Sequence, residues 1–280
     1  MPDHIAIALL SLSAAITWGA GDFSGGIAAR RADIFGVVAF AHGAGLALML
    51  GLARLWGEPW PGLHEFLWAA AAGLSNGIAI AAFYRALAIS KMGITAPIAA
   101  VITAMLPVIV GSARDGFPGT VQLVGFVLAL IAIWMIARPE NGDGRPAGIG
   151  LAILAGLGFS GYLVLIRYSG STSAFMPVAL ARLASLLLMF LIILRNRRTW
   201  LPTLGPMWIA IIAGIFDAIG GGFFMLAAQR GRLDVAAVLS SLYPASTVLL
   251  ARIFLKEQLT VIQKIGIVGA LIAVPMIAAK

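Results

Sequence analysis

Five polar side chains interrupt the long apolar runs of this 280-residue chain: Asp22, His42, Asn76, Arg182 and Asp217. A charged group at mid-membrane costs at least ~2.5 kcal/mol, so each marks a candidate site or a structural ion pair. Their spacing is ordered. Asn76 and Asp217 stand 141 residues apart, and His42 and Arg182 stand 140 apart. Polar groups at matching places in two halves of a duplicated chain border the space between those halves, where a cargo can be held. Carboxylate, guanidinium, imidazole and amide together can bind both ends of a zwitterion or relay a proton.

Aromatic residues follow the same spacing. Trp18 and Phe159 are 141 apart, Tyr162 lies one helical turn beyond Phe159, and Tyr243 directly precedes Pro244. Rings with a polar edge suit an organic substrate that is part apolar and part charged. The candidate cavity set is therefore Trp18, His42, Asn76, Phe159, Tyr162, Arg182, Asp217 and Tyr243. Asp22 and Asp217 are the candidate proton-coupling acids. Gly220-Gly221-Gly222 is the candidate hinge, because a helix is weakest at consecutive glycines. Each reading has a structural alternative: inter-helix packing for the rings and glycines, an ion pair or snorkelling for Arg182 and Asp217.

Several chemistries have no residues to carry them. There is no P-loop, no His-Glu-x-x-His zinc motif and no cysteine, so no nucleotide, metal or other cofactor is expected. Gly158-Phe159-Ser160-Gly161 looks like the Gly-x-Ser-Gly of rhomboid-type intramembrane proteases. Those enzymes need a histidine after the serine, and this chain has none after His64. Ser160 is expected to bond a backbone carbonyl or to line the cavity. A membrane enzyme acting on lipid-linked substrates would need acids, bases or metal ligands clustered at one interface, and none cluster. The chain is not expected to be an enzyme.

The elements that must position these residues are membrane helices. Hydrophobic residues make up 61% of the chain and charged residues 11%, against roughly 45–50% and about 25% in soluble domains. Mean hydropathy is +1.02. Ten apolar runs approach the ~20 residues needed to cross a bilayer: 5–29, 34–56, 66–89, 94–113, 119–137, 147–168, 174–194, 206–229, 234–255 and 260–279. The runs are long and do not alternate, so they read as helices, which satisfy their own backbone in lipid. Met1-Pro2-Asp3-His4 lacks the basic start of a signal peptide, so the first run reads as a retained span. The net charge of +8 is spread between the runs, which fits lipid headgroups and excludes a nucleic-acid stripe. Trp56, Trp60, Trp68, Trp200 and Trp208 flank span ends as an interface belt.

The chain also repeats itself. Gly125–Ala137 (GFVLALIAIWMIA) and Gly266–Ala278 (GIVGALIAVPMIA) agree at nine of thirteen positions. Val38–Leu50 against Val178–Phe190 agrees at seven of thirteen, and Ala72–Ala86 against Ala213–Ala227 at five of fifteen. A five-span unit duplicated in one chain must enter the membrane the second time upside down. The expected fold is thus an all-α integral membrane protein of ten helices in two inverted five-helix repeats, 1–138 and 147–280, joined by a connecting loop at 139–146.

Two five-helix repeats, Trp18-Gly19 in the first span, the Pro107 and Pro244 helices, and Glu257 followed by Gly266-x-x-x-Ala270-Leu271-Ile272 resemble the EamA family of the drug/metabolite transporter superfamily. Within it the chain resembles the bacterial amino-acid exporters, including the YddG type. The resemblance implies ten helices, inverted repeats, a central cavity with an aromatic of the sixth helix (here Phe159), and export of small metabolites from the cytoplasm across a bacterial inner membrane. Glu257 has no clear counterpart in the first half; Asp115 lies nearest. The resemblance also implies cytoplasmic termini. The basic residues point the other way: six (Arg54, Arg114, Arg167, Arg230, Arg232, Lys280) fall on the termini's side and eleven on the other, where the positive-inside rule would put the cytoplasm.

The expected function is a secondary transporter that exports amino acids or related metabolites by alternating access. The alternatives are a drug carrier or a sugar or nucleotide-sugar carrier. The expected partners are a small-molecule substrate and membrane lipid, with no nucleic acid, and one chain suffices to form the cavity.

Overall fold

The computed structural model describes residues 3–90, 92–136, 148–170, 172–196, 203–255 and 260–278. Within them the chain forms α1 (Asp3–Ala29), α2 (Ile34–Leu55), α3 (Leu63–Ile89), α4 (Met92–Asp115), α5 (Thr120–Ile136), α6 (Ile149–Tyr168), α7 (Phe175–Asn196), α8 (Leu204–Arg230), α9 (Leu233–Ser240), α10 (Tyr243–Leu255) and α11 (Val261–Ala278). Eight spans are long and apolar enough to cross a membrane, with α9 and α10 counted as one; α5 and α11 are shorter apolar helices. The expected loop 139–146 and Glu257 lie outside the described residues.

Helix forms because each apolar run must satisfy its backbone without water. The distribution of side chains is the reverse of a soluble bundle. In α8, Ala210, Ala213, Gly214 and Ala218 are buried while Trp208, Ile212, Ile215 and Phe216 are exposed. Small residues inside let backbones approach, and large aliphatics outside meet lipid.

The ninth run departs from expectation. It breaks between Ser240 and Tyr243, where Ser241 N–H donates to the Ala237 carbonyl and Leu242 N–H to Leu239. Pro244 has no N–H to offer the Ser240 carbonyl and its ring crowds that position, so the ladder stops there. Pro107 does not break α4. Its neighbour Leu106 donates its N–H to Ser160 Oγ of α6 at 3.0 Å, which ties the two helices at that level.

Two loop acids fix helix starts. Asp33 Oδ1 accepts from Phe35 N–H and Gly36 N–H at the start of α2. Gly57 takes φ +65° after α2, and Glu58 N–H returns to the Ala53 carbonyl, a glycine-based helix end. That turn aims the Glu58 carboxylate at α7, where it accepts from the N–H groups of Ala174, Phe175 and Met176 at 2.7–3.1 Å.

The helices pack in matched pairs: α1 on α8 and α3 on α6; α2 on α8 and α3 on α7; α1 on α9 and α10, and α4 on α6. Equivalent helices of the two halves also meet, α2 with α7 and α5 with α11. The last pair runs antiparallel, with Gly125 beside Ile277 and Gly269 beside Ala132. Two crossings match in detail. A Cβ on Gly73 would overlap the Ala181 carbonyl, and a Cβ on Gly214 would overlap the Ala41 carbonyl.

Candidate functional site

A cavity lies between the halves. Its walls are Trp18 and Asp22 of α1, Asn76 and Ile80 of α3, Thr103 of α4, Phe159, Tyr162 and Leu163 of α6, Asp217 of α8, Ser241 in the α9–α10 break and Tyr243 of α10. Asn76 and Asp217, 141 residues apart in the chain, share this lining, as do Trp18 and Phe159. Its free volume is about 30 Å³, roughly the share of one liquid water, against about 300–1,000 Å³ for small-molecule pockets. The cavity is closed down in this conformation.

One wall is backed by a charge network. Arg182, 1% exposed, sets Nη1 2.5 Å from Asp217 Oδ2 and donates from Nη2 to the Asp217 carbonyl at 3.2 Å. Arginine has no acceptor, so its 3.0 Å contact with His42 runs from Nη1 to the ring Nε2. The hydrogen of His42 then sits on Nδ1, which donates to Ser185 Oγ at 2.6 Å. His42 Nε2 lies 3.7 Å from Asp217 Oδ2. Trp18 Nε1 donates to the same Asp217 carbonyl at 3.1 Å. The guanidinium and the carboxylate thus neutralise one another, and the carboxylate keeps one flank on the cavity.

His42 and Arg182 therefore do not line the cavity; they stand behind Asp217 and hold it. The other expected cavity residues all reach the wall. Asp22 does as well. Among the described residues Asp22 has no hydrogen bond or ion pair, so the cavity carries one uncompensated acid beside a balanced pair. The Tyr162 hydroxyl is buried without a hydrogen-bond partner and faces the same space.

The triple glycine lies within an unbroken α8. A Cβ on Gly220 would overlap the Trp18 indole, and one on Gly221 would lie 3.1 Å from the Tyr162 hydroxyl. Their lack of side chains seats two cavity rings. Tyr243 is held edge-on to Phe83, which is also edge-on to Phe159.

Ser185, Thr103, Ser241, Ile80 and Leu163 belong to the site but were absent from the sequence-based set. For Ser185 the signal was present: it lies three residues after Arg182, on the same helix face. For the others only the packing of α3, α4, α6 and α9–α10 selects them from many similar residues. Among the described residues no group of acids and histidines could hold a metal ion.

Residues 146–279 match the EamA-like transporter family. An uncharacterized protein of Methanocaldococcus jannaschii is 31% identical over 96 residues, 34% of this chain and 70% of that protein. A crystal structure of another protein superposes with a TM-score of 0.76 at 17% identity, covering 96% of this chain and 97% of that one. That likeness is one of fold.

Proposed function

We propose, for a chain whose residues 146–279 match the EamA-like transporter family, that it is a secondary transporter exporting amino acids or related small metabolites by alternating access. The observation that carries this reading is the convergence of both halves on one closed cavity with a balanced ion pair and an uncompensated acid in its walls. The antiparallel α5–α11 pair and the matched Gly73 and Gly214 crossings support two inverted five-helix repeats, 1–138 and 147–280. A cavity of about 30 Å³ admits an organic molecule only when its walls part, and on this reading the described state corresponds to the occluded one between two open forms. The break at Ser241–Leu242 and the Pro107 level of α4 are the places where those walls can bend. The neighbours of Gly220 and Gly221 favour packing there.

In this reading Asp22 receives the substrate ammonium, and Asn76 with the Tyr162 hydroxyl receives its carboxylate. Trp18, Phe159 and Tyr243 cover its apolar part. Asp22 is the acid free to exchange a proton, because Asp217 is held by Arg182. Purified protein in liposomes, offered labelled amino acids, tests the function directly; no substrate-specific flux across a broad panel overturns it. Flux unchanged by a pH gradient removes the proton-coupled form and leaves facilitated diffusion. A periplasmic reporter fused after Lys280 in bacterial inner membranes is expected to be silent, placing the termini in the cytoplasm.

One observation favours a second reading. Asp22 among aromatic rings, with Arg182 behind the wall already paired to Asp217, also suits an organic cation, so a drug carrier ranks ahead of a sugar or nucleotide-sugar carrier. Flux of lipophilic cations exceeding that of every amino acid would select it.

A further inference from the structure

A second cavity lies on the side of the chain ends, above the central one. It is an open basin of about 590 Å³ lined by Glu65, Ile109, Val110, Arg114, Arg167 and Tyr168, among others. The same two helices, α4 and α6, line both spaces. Thr103 and Leu163 face the central cavity, and Arg114 and Arg167 face the basin. Leu163 to Arg167 is about one helical turn, or ~6 Å of rise. The two spaces are therefore stacked along the axis that a solute would follow.

The basin is built around two arginines. Among the described residues neither Arg114 nor Arg167 makes an ion pair or a hydrogen bond. Each guanidinium acts on the other as a like charge, and Asp115 offsets them in part. Arg232, the next arginine, is already committed: it pairs with Asp234 at 2.7 Å and donates to the carbonyls of Asp115 and Gly116. Glu65 sits at the start of its own helix with a carboxylate oxygen against Gly62. The carbon of the Arg114 guanidinium stands 5.8 Å from the centre of the Tyr168 ring. Tyr168 in turn stacks on Trp68 at 5.3 Å. An arginine held on an aromatic face keeps its donor edge free, and that planar edge fits two oxygens of a carboxylate or phosphate. The positions of both arginines in last helical turns would by themselves explain only an interaction with the helix ends. The shared basin, the stacked ring and the absence of partners go further.

We propose that Arg114 and Arg167, with Tyr168 as support, form an anion-docking site at the mouth of the central cavity, for a carboxylate or phosphate group. Binding of the anion does not depend on the transport reading; a role as the first station for the acid group of a transported substrate does. A free anion and a lipid headgroup offer the same chemistry, so both sources are tested. The full chain purified in detergent is titrated with inorganic phosphate, with chloride at matched ionic strength as control, and its thermal unfolding is followed. In parallel the protein is placed in bilayer discs of phosphatidylcholine with or without phosphatidylglycerol, and the lipid it retains is identified by mass.

Wild type and Arg54→Gln, a basic residue on the same side outside the basin, are expected to be protected by phosphate or to retain phosphatidylglycerol. Arg114→Gln and Arg167→Gln are expected to weaken that binding by at least about tenfold. Arg114→Lys keeps the charge without the planar fork and is expected to fall between them, which separates lost binding from misfolding. Protection by phosphate assigns a soluble anion; retention of phosphatidylglycerol alone assigns a lipid. Neither effect in wild type, or an equal effect in the Arg114→Gln/Arg167→Gln variant, overturns the proposal. Absent flux with intact anion binding would count against the transport reading alone.

Discussion

The α5–α11 pair and the α2–α7 pair are both contacts between equivalent helices of the two halves, yet they serve opposite ends. The α5 and α11 segments agree at nine of thirteen positions. Their contact is almost wholly apolar, with Ile277 and Ala132 against glycines and Gln122 reaching the Ile277 carbonyl. The α2 and α7 segments agree at seven of thirteen, and their disagreements make the site. His42 in one copy accepts from Arg182 in the other, and Ser185, which stands where the first half has Gly45, accepts from His42. An unchanged duplicate would have set histidine against histidine, with no cation for Asp217, or guanidinium against guanidinium, where like charges repel strongly at this depth. On the proposed two-repeat reading, symmetry supplies the frame, and divergence at a contact between matching positions turns a self-pair into a donor and an acceptor.

The largest expected effect tests the polar pair. Arg182→Ala leaves the Asp217 carboxylate buried without its cation and should cost about 3–5 kcal/mol, read as a drop in the unfolding midpoint together with loss of flux. The double change Arg182→Met with Asp217→Leu should restore most of the stability, since apolar residues replace a buried pair without leaving an unpaired charge. It should stay inactive. Wild-type flux from that variant would reduce the network to structure and erase the contrast between the pairs.

Gly214→Ala comes next. Its methyl meets the Ala41 carbonyl, so a loss of about 1–3 kcal/mol in detergent unfolding is expected, with a comparable loss for Gly73→Ala at the matching crossing. A loss at one crossing and not the other would show that the halves are less alike than their packing indicates. Ser185→Ala removes the acceptor of the His42 ring hydrogen and should cost about 1–3 kcal/mol; an unchanged midpoint would mean that the histidine has another acceptor. Asp22→Asn should leave stability within about 0.5 kcal/mol or raise it, because no partner is lost, while abolishing flux of amine-bearing substrates. The smallest effect lies in the apolar pair. A methyl on Gly269 finds Ala132 at 3.5 Å, an ordinary contact. Gly269→Ala should therefore be neutral or stabilising by up to ~1 kcal/mol through helix propensity. A large loss there would show that α5–α11 packs as tightly as the core crossings.

Much of this was legible from the sequence. The ends of nine apolar runs fall within a few residues of the helices, because polarity and length decide what can enter lipid. The ninth run, 234–255, was legible as a span but not as two helices. Pro244 gave the signal, yet Pro107 in a similar place leaves α4 continuous, with its neighbour Leu106 bonded to Ser160 of another helix. Proline weakens a ladder locally without always ending the helix, so the residue type alone did not separate the two. The polar residues were legible as a set, since each is costly in its run. Their division into cavity wall and backing was not. His42 and Arg182 share the repeat spacing of Asn76 and Asp217, but the first pair bonds across a helix contact and the second faces open space.

By itself the sequence determined that the chain is a helical membrane protein, that segments about 141 residues apart match one another, and which side chains are too polar to be buried without a reason. Those properties follow from composition and spacing, which act residue by residue. The tertiary structure decided which polar groups cancel and which stay open, that the cavity narrows to about 30 Å³, and that Arg114 and Arg167, 53 residues apart in the chain, meet over one basin. Such facts depend on the angles and distances between helices, and those are set by small residues at crossings such as Gly73 and Gly214, where no one-dimensional pattern records what stands opposite.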